Sequence, residues 1–185
     1  GQGGFGEVWL AQDTVLGDHH VAIKFLKAAN PDRDKEFLVE MRALAGLRLP
    51  GIVTFHHHFQ HQKQLALVME RGAGGSLAGR LQDEYPVDVQ VWINQVVQWM
   101  VQLCDTLAVV HARSLVHHDI KPLNILLRDG MAVIADFGIV NTTGGTVIYS
   151  SPGKGLGMAH RDDAREDIYA LGVTLLELLN RGHPW

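Results

Sequence analysis

The stretch Leu115–Leu127, Leu-Val-His-His-Asp-Ile-Lys-Pro-Leu-Asn-Ile-Leu-Leu, limits what this chain can fold into more than any other. Three polar residues, Asp119, Lys121 and Asn124, sit between apolar Leu115-Val116 and Ile125-Leu126-Leu127. Apolar flanks with Pro122 between them predict two short buried strands joined by a rigid loop. That loop offers an acid, an amine and an amide on one short piece of backbone. Such a set suits proton acceptance, phosphate contact and metal coordination together.

Composition narrows the setting. The 185 residues are 46% hydrophobic and 19% charged, which is the balance of a folded globular chain. A net charge of −4 gives no reason to expect nucleic acid or an anionic membrane surface as a partner. The single Cys104 rules out an internal disulfide framework and fits a reducing compartment, so the expected location is cytoplasmic. No apolar run approaches the ~20 residues that cross a bilayer. Gly1 opens directly on a glycine-rich motif and Trp185 follows a helix-stop signal, which predicts a piece of a longer polypeptide.

The first half of the chain reads as strands. Gly1-Gln2-Gly3-Gly4-Phe5-Gly6-Glu7-Val8 has the form G-x-G-x-F-G-x-V, and its glycines let backbone N–H groups approach phosphate oxygens. A Rossmann turn would open a helix here, whereas Val8-Trp9-Leu10-Ala11 followed by Asp13 and Gly17-Asp18 reads as strand and hairpin. A Walker loop would need Gly-Lys-Ser/Thr, which is absent. Val21–Leu26 is a second short apolar run, broken by Lys24. Alone, that lysine reads as an edge-strand residue facing solvent.

Asn30-Pro31 is a helix start, and Phe37, Met41, Leu44 and Leu47 recur at helical spacing. Glu40 falls within that stripe, where an unpaired acid is costly. Lys24 is the natural candidate for its partner, with Glu36, one turn earlier, as the runner-up acid and a solvated helix glutamate as the other reading. His56-His57-His58 and His61 invite a metal reading, but strict strand alternation splits the first three between two faces, with no acid or cysteine close by. Leu65–Glu70 reads as a buried strand and Arg71–Leu77 as a flexible connector. The change from strand-rich to helix-rich sequence falls near Gly72, giving lobes 1–71 and 72–185.

Beyond it, Leu77–Leu81 forms a short helix and Val89–His111 a long one. Ile93, Val96, Val97, Met100, Leu103, Cys104, Leu107 and Val110 are its expected core side. Asp136 closes the apolar run Met131–Ala135 and precedes Phe137-Gly138. Asp167 leads a strongly apolar helix, Ile168–Leu179, that should stop at Gly182 and Pro184.

Taken in order, G-x-G-x-F-G-x-V, Val21-Ala22-Ile23-Lys24, His117-His118-Asp119-Ile120-Lys121-Pro122 with Asn124, and Asp136-Phe137-Gly138 resemble the eukaryotic-type serine/threonine protein kinase domain. The resemblance implies an α+β, bilobal fold: a small antiparallel sheet lobe with one helix, and a mainly helical lobe whose last helices lie beyond this sequence. It implies ATP and Mg²⁺ as cofactors and a protein substrate with a serine or threonine acceptor. Asp119 would accept the acceptor hydroxyl's proton, and Lys121 would neutralise the transferred phosphoryl. Lys24, paired with Glu40, would hold the α- and β-phosphates, and Asn124 and Asp136 would hold the metal. Gly1, Gly3, Gly6, Val8, Ala22, Met69, Glu70, Gly72 and Leu126 would line the nucleotide site. Leu44, Phe55, His117 and Phe137 match an apolar spine, and Asp167 would brace the loop backbone.

Three departures bear on activity. His118 stands where an arginine is usual, only six residues (139–144) separate Gly138 from Gly145-Thr146, and Ser151-Pro152-Gly153 replaces A-P-E. The first two predict independence from activation-loop phosphorylation. The last two leave open a nucleotide-binding pseudokinase or scaffold. A small-molecule phosphotransferase of related fold is a further alternative, against which Lys121-Pro122 and Gly145-Thr146 count. The exposed apolar side of Ile168–Leu179 predicts poor solubility for these residues alone.

Overall fold

The computed structural model describes residues 2–3, 6–14, 17, 19–26, 35, 38–39, 41–42, 45–46, 48–62, 64–82, 88–137, 147–152 and 163–181. The chain divides into two compact units, Gly1–Arg48 with Val53–Gly72, and Leu49–Ile52 with Ala73–Trp185. The first unit is mainly strand and the second mainly helix, as in an α+β fold.

The first unit is an antiparallel sheet of five strands: β1 (Gln2–Gly3), β2 (Gly6–Gln12), β3 (His20–Leu26), β4 (Phe55–His61) and β5 (Gln64–Glu70). Their spatial order is β1-β2-β3-β5-β4. The glycine-rich stretch is a hairpin, with Gly3 opposite Gly6, and leads into a strand rather than a helix. β3 is therefore a central strand, which removes the edge-strand reading of Lys24. Residues 35, 38–39, 41–42 and 45–46 are helical, while Asn30, Pro31, Phe37, Glu40, Leu44 and Leu47 lie outside the described residues.

β4 corrects the expected alternation of its histidines. Phe55 faces Met69 and His57 faces Val68, so His56 is the extra residue of a bulge. Both His56 and His57 are exposed, and His58 shares the face of Phe55, stacking on it at 6.4 Å.

The second unit is built on α1 (Leu77–Gln82), α2 (Val89–His111) and α3 (Arg165–Asn180), with the hairpin β6 (Ile125–Arg128) and β7 (Met131–Ile134). Asp88 caps α2, its Oδ1 accepting from Gln90 N at 2.7 Å. The buried stripe of α2 runs Trp92, Val96, Trp99, Leu103, Thr106 and Val110, with Met100 and Leu107 beside it. Two residues expected there are not: Val97 is 51% exposed and Cys104 is exposed too. The tryptophans draw the face toward themselves because each finds a carbonyl for its indole N–H. Trp92 donates to Leu178 O at 2.8 Å and Trp99 to Gly130 O at 2.9 Å.

Asp129 and Gly130, both at positive φ (51° and 81°), make the tight β6–β7 turn. The connector after β5 is not flexible. Gly74 N donates to Leu127 O at 3.0 Å, Leu127 N donates to Gly75 O at 2.9 Å, and Ser76 bridges Leu126. A Cβ on Gly74 would lie 2.8 Å from Leu127, so only glycine allows this approach. Residues 49–52 join the second unit because Ile134 N donates to Gly51 O at 2.8 Å and Ile52 bridges Ile134. α3 starts at Arg165, so Asp167 lies in its first turn instead of ahead of it. Arg181, at φ 55°, takes the left-handed cap position expected of Gly182, which lies outside the described residues.

Candidate active site

In the second unit the candidate groups gather on the loop between α2 and β6. Leu115-Val116 forms no strand; it follows the helix end directly, with Leu115 N donating to Val110 O at 3.3 Å. Val116 and Ile120 are buried, and they anchor the loop while the polar residues between them are turned to one another. Lys121 Nζ lies 2.9 Å from Asp119 Oδ1 and 2.7 Å from Oδ2. Asn124 Nδ2 donates to Asp119 O at 2.8 Å and to its Oδ2 at 2.7 Å. Pro122 starts a 3₁₀ turn, Pro122–Asn124, closed by Asn124 N on Lys121 O at 2.9 Å, and this turn brings Asn124 back over Asp119. All three side chains are buried, which strengthens charge-assisted bonds of this kind.

The loop's backbone is set from behind. Asp167, fully buried, accepts from His117 N through Oδ2 and from His118 N through Oδ1, both at 2.8 Å. His111 Nε2 donates to Oδ2, also at 2.8 Å. Burial alone pushes the Asp167 carboxyl up. The His111 hydrogen bond and the two backbone donors outweigh it, and the carboxyl ends below its usual range. These bonds hold His118 at φ 69°, a left-handed conformation costly for a residue with a Cβ.

The His117 ring joins the loop to the strand that ends at Asp136. Its Nδ1 accepts from Asp119 N at 3.1 Å and its Nε2 donates to Ala135 O at 2.8 Å, a pairing that requires the Nε2–H tautomer. Phe137 packs edge-on against it, ring centroids 4.4 Å apart. Ala135 N in turn donates to Asn124 O at 2.9 Å, and Asp136 takes φ 65°. Asp119, Lys121 and Asn124 are thus in contact, and Asp136 follows a residue tied to two of the loop's members. Leu126 is half-buried on β6.

In the first unit Lys24 is 4% exposed on β3, between Val8 and Leu67 of the flanking strands. Ala22 pairs with Leu10 and Met69. Met69 is buried, and the N–H of Glu70 is taken by Thr54 O at 2.8 Å, so any contact from Glu70 to a base rests on its carbonyl. Gly72 is half-buried. Gly1, Glu40 and Gly138 lie outside the described residues.

Ser151 stands out in the sequence only as part of Ser151-Pro152-Gly153, and His111, Glu166 and Glu177 carry no motif. Tyr149 Oη donates to Glu177 Oε2 at 2.5 Å, and Ser151 Oγ donates to Glu166 Oε1 at 2.5 Å. A signal existed for Glu177: it falls on the buried face of α3 with Ala170, Val173 and Thr174, where an acid needs a partner.

Residues 1–185 match the family model described as the protein kinase domain. The chain belongs to the protein kinase domain family. It is 32% identical to the mouse serine/threonine-protein kinase Nek1 over 197 residues, which cover 100% of this chain and 16% of that protein. It is 34% identical to serine/threonine-protein kinase PknA of Mycobacterium tuberculosis over 209 residues, 99% of this chain and 46% of PknA. This kinase domain therefore spans less than half the length of either relative. A crystal structure of the Mycobacterium tuberculosis PknI kinase domain, a double mutant, superposes with a TM-score of 0.81 at 27% identity, covering 100% of this chain and 74% of that one.

Proposed function

We propose that this kinase domain transfers the γ-phosphoryl group of ATP to serine or threonine hydroxyls of protein substrates. The observation that carries the reading is the Asp119 carboxylate, held by Lys121 and Asn124 on a loop whose backbone Asp167 fixes. Phosphoryl transfer has a loose transition state, so placing charge and reactants does most of the catalysis. In this reading Asp119 orients the acceptor hydroxyl and takes its proton, and Lys121 balances charge on the phosphoryl in flight. Lys24 binds the α- and β-phosphates from the sheet unit.

Asn124 and Asp136 fit Mg²⁺: an amide oxygen and a carboxylate are hard donors, and Mg²⁺ usually takes one or two protein ligands alongside phosphate oxygens. The ion would supply neutralisation of phosphate charge. Among the described residues no helix is long and apolar enough to cross a membrane. We place the domain in the cytoplasm, where a single exposed cysteine survives unpaired.

The test is ATP binding together with transfer to a serine/threonine peptide, followed by identification of the phosphorylated residue. Phosphoserine or phosphothreonine formed by the wild type and lost in Asp119→Asn supports the reading. Binding of ATP with no transfer makes the domain a nucleotide-binding scaffold, the outcome that Gly153 in place of an anchoring glutamate keeps open.

A further inference from the structure

We propose that Glu166 is the positioning residue that fixes the 147–152 segment beside the Asp119 loop, and so sets where the acceptor hydroxyl lies. This rests on the transfer reading above.

The segment begins with a 3₁₀ turn, Val147–Tyr149, and continues through Ser150 and Ser151 to Pro152. Glu166 grips Ser151 twice. Its Oε1 accepts the Ser151 hydroxyl at 2.5 Å and its Oε2 accepts the Ser151 backbone N–H at 3.4 Å. Side chain and backbone of one residue are thereby fixed by one carboxylate, which is itself buried. The charge is well placed in the first turn of α3, where helix N–H groups favour an anion.

The next residue does the matching work on the other side. Asp167 holds His117 and His118, the pair immediately before Asp119, while Glu166 holds Ser151. Consecutive acids on one rigid helical turn thus tie the loop and the segment to a common support. Their separation is set by α3 and not by the masses of side chain between them. Burial and the Glu177 contact keep the Tyr149 hydroxyl protonated, and the Asp119 charge adds to them. In sequence, Gly153 stands where the family resemblance implied an anchoring glutamate, and Ser151 with Glu166 supplies an anchor two residues earlier.

Steady-state kinetics with a serine/threonine peptide separate this role from general support. Ser151→Ala and Glu166→Ala should each raise the peptide KM about tenfold, the weight of a charge-assisted hydrogen bond, and leave the ATP KM within about twofold. Glu166→Gln, whose amide oxygen still accepts the Ser151 hydroxyl, should recover most of the loss. The Ser151→Ala/Glu166→Ala double variant should be no worse than Glu166→Ala, because Glu166→Ala already removes the bond that Ser151→Ala deletes. An unmoved peptide KM, an ATP KM that rises equally, or losses that multiply in the double variant would overturn the proposal.

Amide hydrogen exchange keeps the two readings apart. If the wild type transfers no phosphoryl group, faster exchange at residues 148–151 in Glu166→Ala, with α2 and β6–β7 unchanged, retains the anchor and overturns the transfer reading. Unchanged exchange at 148–151 overturns the anchor itself.

Discussion

The Asp167 carboxylate accepts the backbone N–H of His118 at 2.8 Å and holds that residue at φ 69°. A carboxylate from the first turn of a helix thereby stabilises a conformation that the loop would not adopt alone. The same carboxylate takes His117 N and His111 Nε2, so three donors depend on it.

Asp167→Ala strands two backbone donors, one buried and one half-buried, and is expected to cost about 3 kcal/mol of stability, read from denaturant melts. The pH dependence has a definite sign. The folded pKa lies below the unfolded value, so the stabilisation is complete above about pH 4 and falls away as pH drops through the folded value. The wild type should lose stability below about pH 4, and Asp167→Asn should flatten that acid limb.

Tyr149 should resist ionisation. Burial, the Glu177 hydrogen bond and the Glu177 and Asp119 charges all raise its pKa far above the ordinary phenol value. With three tyrosines in the chain, ultraviolet titration of the folded protein should show one that does not ionise with the others. The raised value also means that stability is intact below about pH 10 and declines above it, as the unfolded phenol ionises first. Tyr149→Phe removes the effect and leaves the buried Glu177 short of a donor, at a cost of about 2 kcal/mol.

Thr174 carries a fully buried hydroxyl with no hydrogen-bond partner among the described residues. Thr174→Val keeps the shape and deletes the unsatisfied group, so it should raise stability by about 1 kcal/mol in thermal or denaturant melts.

What the sequence disclosed follows from how local each signal was. The Pro122 turn that brings Asn124 onto Asp119 is written within six residues, and strand periodicity marks β3 and β5. The core side of α2 was less legible. Hydropathy ranks Val97 and Cys104 with their neighbours, but the tryptophans decide the face through carbonyls of Gly130 and Leu178, distant in sequence. The histidines of β4 misled for a related reason: one inserted residue, His56, shifts the alternation, and periodicity carries no trace of it. The connector Arg71–Leu77, mostly small and polar, reads as flexible, yet Gly74 and Gly75 pair with Leu127, more than fifty residues on. Pairing at that range is set by packing, and composition is silent on it.

If Asp119 is the proton acceptor, its loss must slow the transfer step itself. Rapid-quench single turnover at saturating ATP and peptide isolates that step in the wild type and Asp119→Asn. The variant's rate should be at least about 100-fold lower, with nucleotide affinity within about twofold. Equal rates in the two proteins would contradict it.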